Sequence, residues 1–184
     1  MPSTASAFGL RPAYHPSGII REEAGTILTG YATALYKGCP VRIAADGTLE
    51  IAAVNARAIG VFLGCEYTDA NGRRVVTNRW TANTTATEIV AYYTRDPAIV
   101  YEVQADATMA IATMGSQYDW NTATAGNATT GLSEVTLDVG SNAANAGLRV
   151  VGIGRGVNNA WDDLFPNVYV EISEHQDVAD VAQY

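Results

Sequence analysis

A chain of 184 residues is long enough for one well-packed domain, with roughly 70% of the unfolded surface removable from water, and too short for a second full domain. Apolar residues make up 48% and charged residues 16%, so Thr, Asn, Ser and Gly must supply much of the polar surface, as in a β-rich protein with long loops. The formal charge of −8, from 19 acidic and 11 basic residues, argues against a nucleic-acid binder, whose phosphate contacts need clustered Lys and Arg.

Residues 1–18 contain Pro2, Pro12 and Pro16 with Gly9 and Gly18, which rules out a propagated helix or a central strand. The segment also carries Phe8, Leu10, Arg11 and Tyr14, more than a solvated tail needs. Two readings stand side by side: a strap across its own domain, or an extended arm that docks on a partner. The start lacks the basic and apolar regions of a secretory signal, so synthesis in a cytosol without export is expected. No run approaches the ~18 apolar residues of a membrane span, and no membrane partner is expected.

Alternation of Ile27, Thr29, Tyr31, Thr33 and Leu35 predicts a strand over Thr26 to Tyr36. Val41 and Ile43 alternate with Arg42, and Leu49 and Ile51 with Glu50, around Asp46-Gly47. A two-residue turn there would mix the faces. A three-residue loop with Gly47 left-handed pairs Ile43 with Leu49, Arg42 with Glu50 and Val41 with Ile51, which is the register expected. The apolar run Ala58 to Cys65 returns beside this hairpin, with Gly60 and Gly64 marking a bulge or a close backbone contact.

Asn71-Gly72 predicts a second turn, followed by a strand over about Arg74 to Trp80 and a Thr-rich loop. Ile89 to Tyr93 and Ile99 to Gln104 are expected to pair as a hairpin around Arg95-Asp96-Pro97. Ala110 to Met114 reads equally as a strand or a helical turn. The stretch 116–147 is rich in Asn, Thr, Ala and Gly, and is expected to form exposed loops around one short strand over Val135 to Val139, projecting from the core. Leu148 to Ile153 and Val168 to Ile172 are the last strands. The residues between them carry Trp161, Leu164 and Phe165, expected over a sheet edge or in a neighbouring subunit. Residues 175–184 read as an acidic tail, with Val178 and Val181 also at helical spacing.

The total is an all-β fold: one compact barrel or sandwich-like domain over 19–174, with an N-terminal arm over 1–18 and long polar loops.

Chemistry has little to work with. His15 and His175 are the only histidines and lie in terminal segments, expected at the surface or an interface. Ser173 near His175 is no triad by sequence proximity alone, and Cys39, before Pro40, has no nearby His. Cys39 and Cys65 lack metal or redox spacing, and buried free thiols are favoured over a disulfide. Asp162-Asp163 with Glu171 or Glu174 would hold a hard cation only if the fold gathered them, and the calcium-loop spacing is missing. The run Gly152 to Gly156 reads as a strand ending in a turn, and Tyr92, Tyr93 and Tyr101 as hairpin packing. No catalytic residue, cofactor or metal is expected.

Several phrases in order, Ala7-Phe8-Gly9-Leu10-Arg11-Pro12, Gly30-Tyr31-Ala32, Lys37-Gly38 before Pro40-Val41, Ile59-Gly60-Val61-Phe62, Tyr67-Thr68-Asp69, Trp80, Asp96-Pro97 and Glu102-Val103, make the chain similar to one family. It resembles the head proteins of tailed bacteriophages that decorate and stabilise the capsid. The resemblance covers residues 7 to 104 well, the last two strands weakly, and leaves 115 to 147 unmatched. It implies a non-enzymatic cement protein on the capsid exterior, with the major capsid protein as partner and a homotrimer around a local threefold as assembly; the rival readings are another virion component, such as a tail or neck protein, and a carbohydrate-binding β-module using Trp and Tyr. On the capsid Phe8, Arg11 and Tyr14 are the expected partner-binding residues. Phe8 and Tyr14 would supply apolar area and Arg11 a cation for a shell carboxylate. Residues 1–16 would then be removable without unfolding the domain.

Overall fold

A computed structural model of the chain describes residues 4–178. Pro2 and Val181, and with Val181 most of the predicted tail, lie outside them. The hairpin predicted most firmly is present: β4 (Pro40–Ile43, after β1 Arg11–Tyr14, β2 Glu22–Gly25 and β3 Leu35–Tyr36) pairs with β5 (Leu49–Ile51) in the expected register, Val41 with Ile51, Arg42 with Glu50 and Ile43 with Leu49. Gly47 has φ 83°, the left-handed geometry that the three-residue loop requires. Asp46 Oδ1 accepts from the Thr48 backbone N–H at 3.0 Å and fixes the turn.

The long strand β6 (Gly60–Asp69) lies beside β4 and continues through the Asn71-Gly72 turn into β7 (Arg74–Thr77). After β8 (Arg79–Trp80) comes β9 (Ala86–Thr94), which pairs with β6, the register shifting between Phe62 and Gly64 and between Glu66 and Thr68 of β6. The result is a sheet in the order β2-β9-β6-β4-β5 with β7 also on β6, and β3 and β8 form a separate two-stranded ladder. A second sheet contains β10 (Val100–Gln104), β11 (Gln117–Tyr118), β12 (Leu148–Ile153) and β13 (Asn167–Ile172), in the order β1-β10-β13-β12-β11. The antiparallel sheets pack together without closing, so the fold is all-β and sandwich-like rather than a barrel. One apolar cluster, with Tyr101, Trp120, Leu137 and Val170, belongs mainly to the second sheet. The other, with Phe62, Trp80 and Tyr93, lies mainly under the first.

Four expectations are corrected. Thr26 to Tyr36 is a strand only at Leu35–Tyr36, because Gly30 at φ 76° turns the chain and Tyr31 donates back to the Leu28 carbonyl at 3.0 Å. β9 and β10 do not form a hairpin; they belong to different sheets. Pro97 has no N–H to donate, and Asp96 Oδ1 accepts from Ala98 at 2.9 Å, so the chain turns a corner between the layers.

The stretch 116–147 does not project. Trp120, Val135 and Leu137 are fully buried, and irregular backbone packs as core. The strand over Val135 to Val139 reduces to isolated bridges from Leu137 to Ala105 and Trp120, so its alternation reflects burial without a ladder. The open choice at Ala110 to Met114 resolves as one 3-10 turn over Ile111–Thr113.

The chain after β13 folds back as a latch. Glu174 and Gln176 bracket Ala58 in a parallel bridge, and the Gln176 amide exchanges hydrogen bonds with both backbone groups of Ile43, at 2.7 and 3.1 Å. His175 is buried beneath it.

Candidate partner-binding face

Residues 4–14 form a strap on their own domain. Arg11, Pro12 and Tyr14 pair with Glu102, Tyr101 and Val100 as an edge strand, the place where a proline costs no ladder bond if its nitrogen faces outward. Pro12 and the irregularity between Pro12 and Tyr14 also blunt the open edge, so added strands from other chains are disfavoured. Leu10 is fully buried and donates to the Gly38 carbonyl at 2.8 Å. Gly9, at φ 74°, has no room for a Cβ against Gly38 and Ser133. Removing the segment would strip a strand and a core residue, so it is not separable in the way the sequence suggested.

The three residues expected to meet a partner are engaged within the chain. The Arg11 guanidinium lies 4.9 Å from the Phe8 ring centroid and is ion-paired with Glu102, which neutralises the charge proposed for a shell carboxylate. Tyr14 packs edge-on to Tyr169 at 5.7 Å and remains 48% exposed. Phe8 is half-buried.

A groove of about 550 Å³ separates this strap from the loop between β12 and β13, with Phe8, Arg11 and Gln104 on one side and Val157 and Asn158 on the other. The loop is built stiffly. Asn159 donates from Nδ2 to the Gly154 and Asn167 carbonyls and accepts from the Asn167 N–H, all at 2.8 Å, closing its neck. Asn158, Asp162 and Phe165 have φ of 64°, 67° and 57°, and a left-handed aromatic is a strained placement. Val157 at the loop tip is 94% exposed, and Leu164 is 44% exposed.

Gln104 joins the two elements. Its Nε2 donates to the Thr4 carbonyl at 3.0 Å and the Phe165 carbonyl at 3.2 Å, while Oε1 accepts from the Ser6 N–H at 2.6 Å. Sequence reasoning passed over it. The available signal was Gln104 ending a strand whose Val100, Tyr101 and Val103 are apolar, where a buried amide must find partners.

The remaining candidates separate. His15 accepts from Ser17 N–H and contacts Ser17 Oγ at Nδ1, with Asp96 3.3 Å from Nε2; Gly18 donates to the His15 carbonyl and makes this a local turn. His175 is buried rather than at a surface, because the latch covers it. Ser173 Oγ donates to the Ala146 carbonyl at 2.5 Å. Asp162, Asp163, Glu171 and Glu174 are not gathered; among the described residues no group of three or more His, Cys, Asp or Glu could hold a metal ion. Cys39 and Cys65 are free and buried. Tyr101 and Tyr93 are buried, and Tyr92 donates to Glu66 at 2.8 Å, so the three tyrosines do not share one exposed platform. Comparison with family models, with curated proteins and with solved structures gives no match.

Proposed function

We propose that the chain is a structural virion protein that binds the major capsid protein lattice on the outside of a tailed-phage head and stabilises it, without catalysis. The observation that carries this reading is the face made by the strap and the 154–166 loop. Of the exposed apolar groups there, Val157 and Leu164 stand on a loop fixed by Asn159 and Gln104, and Tyr14 on β1, which is paired to β10, so little ordering entropy is lost on docking. The family resemblance across residues 7 to 104 points the same way. Apolar tips, rather than the Arg11 cation, supply the contact area, since Arg11 already pairs with Glu102. Assembly as a trimer around a local threefold would raise avidity by roughly 10² to 10⁴ without a new kind of contact. The alternative within the same class is a tail or neck component.

The test is co-sedimentation with undecorated heads of the cognate phage. Intact protein should bind in amounts stoichiometric with shell subunits and raise the temperature of DNA release. Tyr14→Asp combined with Val157→Asp should abolish binding while leaving the melting temperature of the free protein nearly unchanged. Absence of binding by intact protein would refute the capsid role, and equal binding by the double variant would move the contact off this face. A few copies per virion, at one vertex or on the tail, would favour the alternative.

A further inference from the structure

On the first sheet a second groove, of about 640 Å³, runs between the outer face of β6, β7 and β9 and the turn at residues 129–131. A volume of this size matches that of small-ligand sites. The β3–β8 ladder supplies two cations to it. Arg79 is opposite Tyr36, and the Lys37 N–H donates to the Asn78 carbonyl at 3.0 Å, so Lys37 and Arg79 occupy neighbouring ladder positions and both line the groove. Among the described residues neither side chain enters an ion pair. Arg11, Arg42, Arg57, Arg73, Arg74 and Arg95 are each paired with a carboxylate, and Arg21, Arg149 and Arg155, also outside the described ion pairs, are exposed to solvent. Arg79 is half-buried, and a partly desolvated guanidinium without a counter-charge is suited to an incoming anion.

The rest of the lining narrows the anion. Tyr92 presents an aromatic ring, Asn78 and Thr129 present polar groups, and Glu22, also outside any ion pair, presents a carboxylate. A carboxylate in the same groove as two cations disfavours a compact polyanion such as a pyrophosphate, whose closely spaced charges it would repel. It favours a ligand that carries one acid together with hydroxyl donors. We propose that this groove binds an acidic sugar, a hexuronate residue of a saccharide. Its carboxylate bridges Lys37 and Arg79, its hydroxyls donate to Glu22 and Asn78, and its apolar ring face lies on Tyr92. The groove adjoins the strap, since Lys37 and Leu63 also line a smaller cavity with Phe8, Arg11 and Pro12, but ligand binding there is read without reference to the capsid reading.

The experiment is calorimetric titration of the full chain with a trigalacturonate, with the neutral galactose trimer and a hexaglutamate peptide as comparison ligands. The trigalacturonate should bind, more weakly as salt rises, and the neutral trimer should bind at least about tenfold more weakly because a charge-assisted contact is lost. Arg79→Gln should lower affinity by a similar factor. Lys37→Gln, at an exposed side chain where folding is not at risk, should do the same with an unchanged melting curve. No binding of trigalacturonate, equal binding of the neutral trimer, or insensitivity to Lys37→Gln would each overturn the proposal. Tighter binding of hexaglutamate through the same two cations would overturn it in favour of a protein partner.

Discussion

The Thr94 hydroxyl lies 2.8 Å from that of Tyr101, both fully inside the protein, and it joins the last residue of β9 in one sheet to β10 in the other. The same Thr94 oxygen accepts from the Val61 N–H at 2.9 Å. Thr94→Val strands a buried amide and a buried phenol, whereas Tyr101→Phe leaves the Val61 bond intact. The expected losses are about 2 to 4 kcal/mol for Thr94→Val and about 1 kcal/mol for Tyr101→Phe. Urea unfolding measures both, and the reverse order would contradict this account of the corner.

Gly60 faces the same residue. A Cβ placed there would overlap the Thr94 carbonyl, which is backbone and cannot swing aside. Gly60→Ala should therefore cost about 3 kcal/mol, while Gly152→Ala, which meets nothing within 4 Å, should cost far less. Similar melting temperatures for the two variants would count against the close approach of β6 and β9.

Burial holds the His175 imidazole below its ordinary 6.5, against the opposing pull of Asp177, which is itself paired with Arg95. With a depressed folded pKa the native state binds fewer protons than the unfolded chain. The stability is thus full above 6.5 and is lost as the pH falls from there through the folded value. The carboxyls of Asp69, Asp96 and Asp177, all held below their ordinary 3.8, act in the same direction in a lower window that opens at 3.8. Melting temperature should begin to drop below about pH 6.5 in the intact protein, and His175→Gln should remove that upper window only. Parallel curves between pH 6.5 and 5 would exclude His175 as the cause.

Cys39 and Cys65 have thiols pushed up to about 12 by burial. The thiolate is the reactive form. Iodoacetamide at mildly alkaline pH should label neither residue in the folded protein and both in urea, read by mass spectrometry. Rapid labelling of the native protein would mean that these sites open.

Local pattern carried the hairpin from Val41 to Ile51 because one buried face and one glycine turn determine its register. It failed where tertiary contacts decide. Glu22 to Gly25 is an exposed, charged edge strand with no alternation to read, and the corner at Asp96 depends on what Thr94 and Tyr101 meet across the layers. Trp120 and Leu137 lie in a polar, glycine-rich stretch, where composition suggests solvent and packing supplies a core. Phe8, Arg11 and Tyr14 stand out in the sequence as more than a solvated tail needs, yet the partner of Arg11, Glu102, lies 91 residues away, beyond the reach of any local rule. Gln104 shows the same limit, since its three bonds are to Thr4, Ser6 and Phe165.

The order in which strands become neighbours sets a schedule for the newborn chain. β4 through β9 find one another within a short span of sequence, so the first sheet can assemble while later residues are still being made. Arg11 must wait for Glu102, 91 positions on, and Ile43 for Gln176, 133 positions on. Closing such long loops before any contact rewards them makes these pairings slow. The strap and the latch are therefore the last parts to be protected, and until then Leu10 and the hydrogen-bonding edge of β10 are open to other chains at the ribosome. Pulse-labelled hydrogen exchange should show amides of β4 and β6 protected before those of β1; simultaneous protection would rule this schedule out.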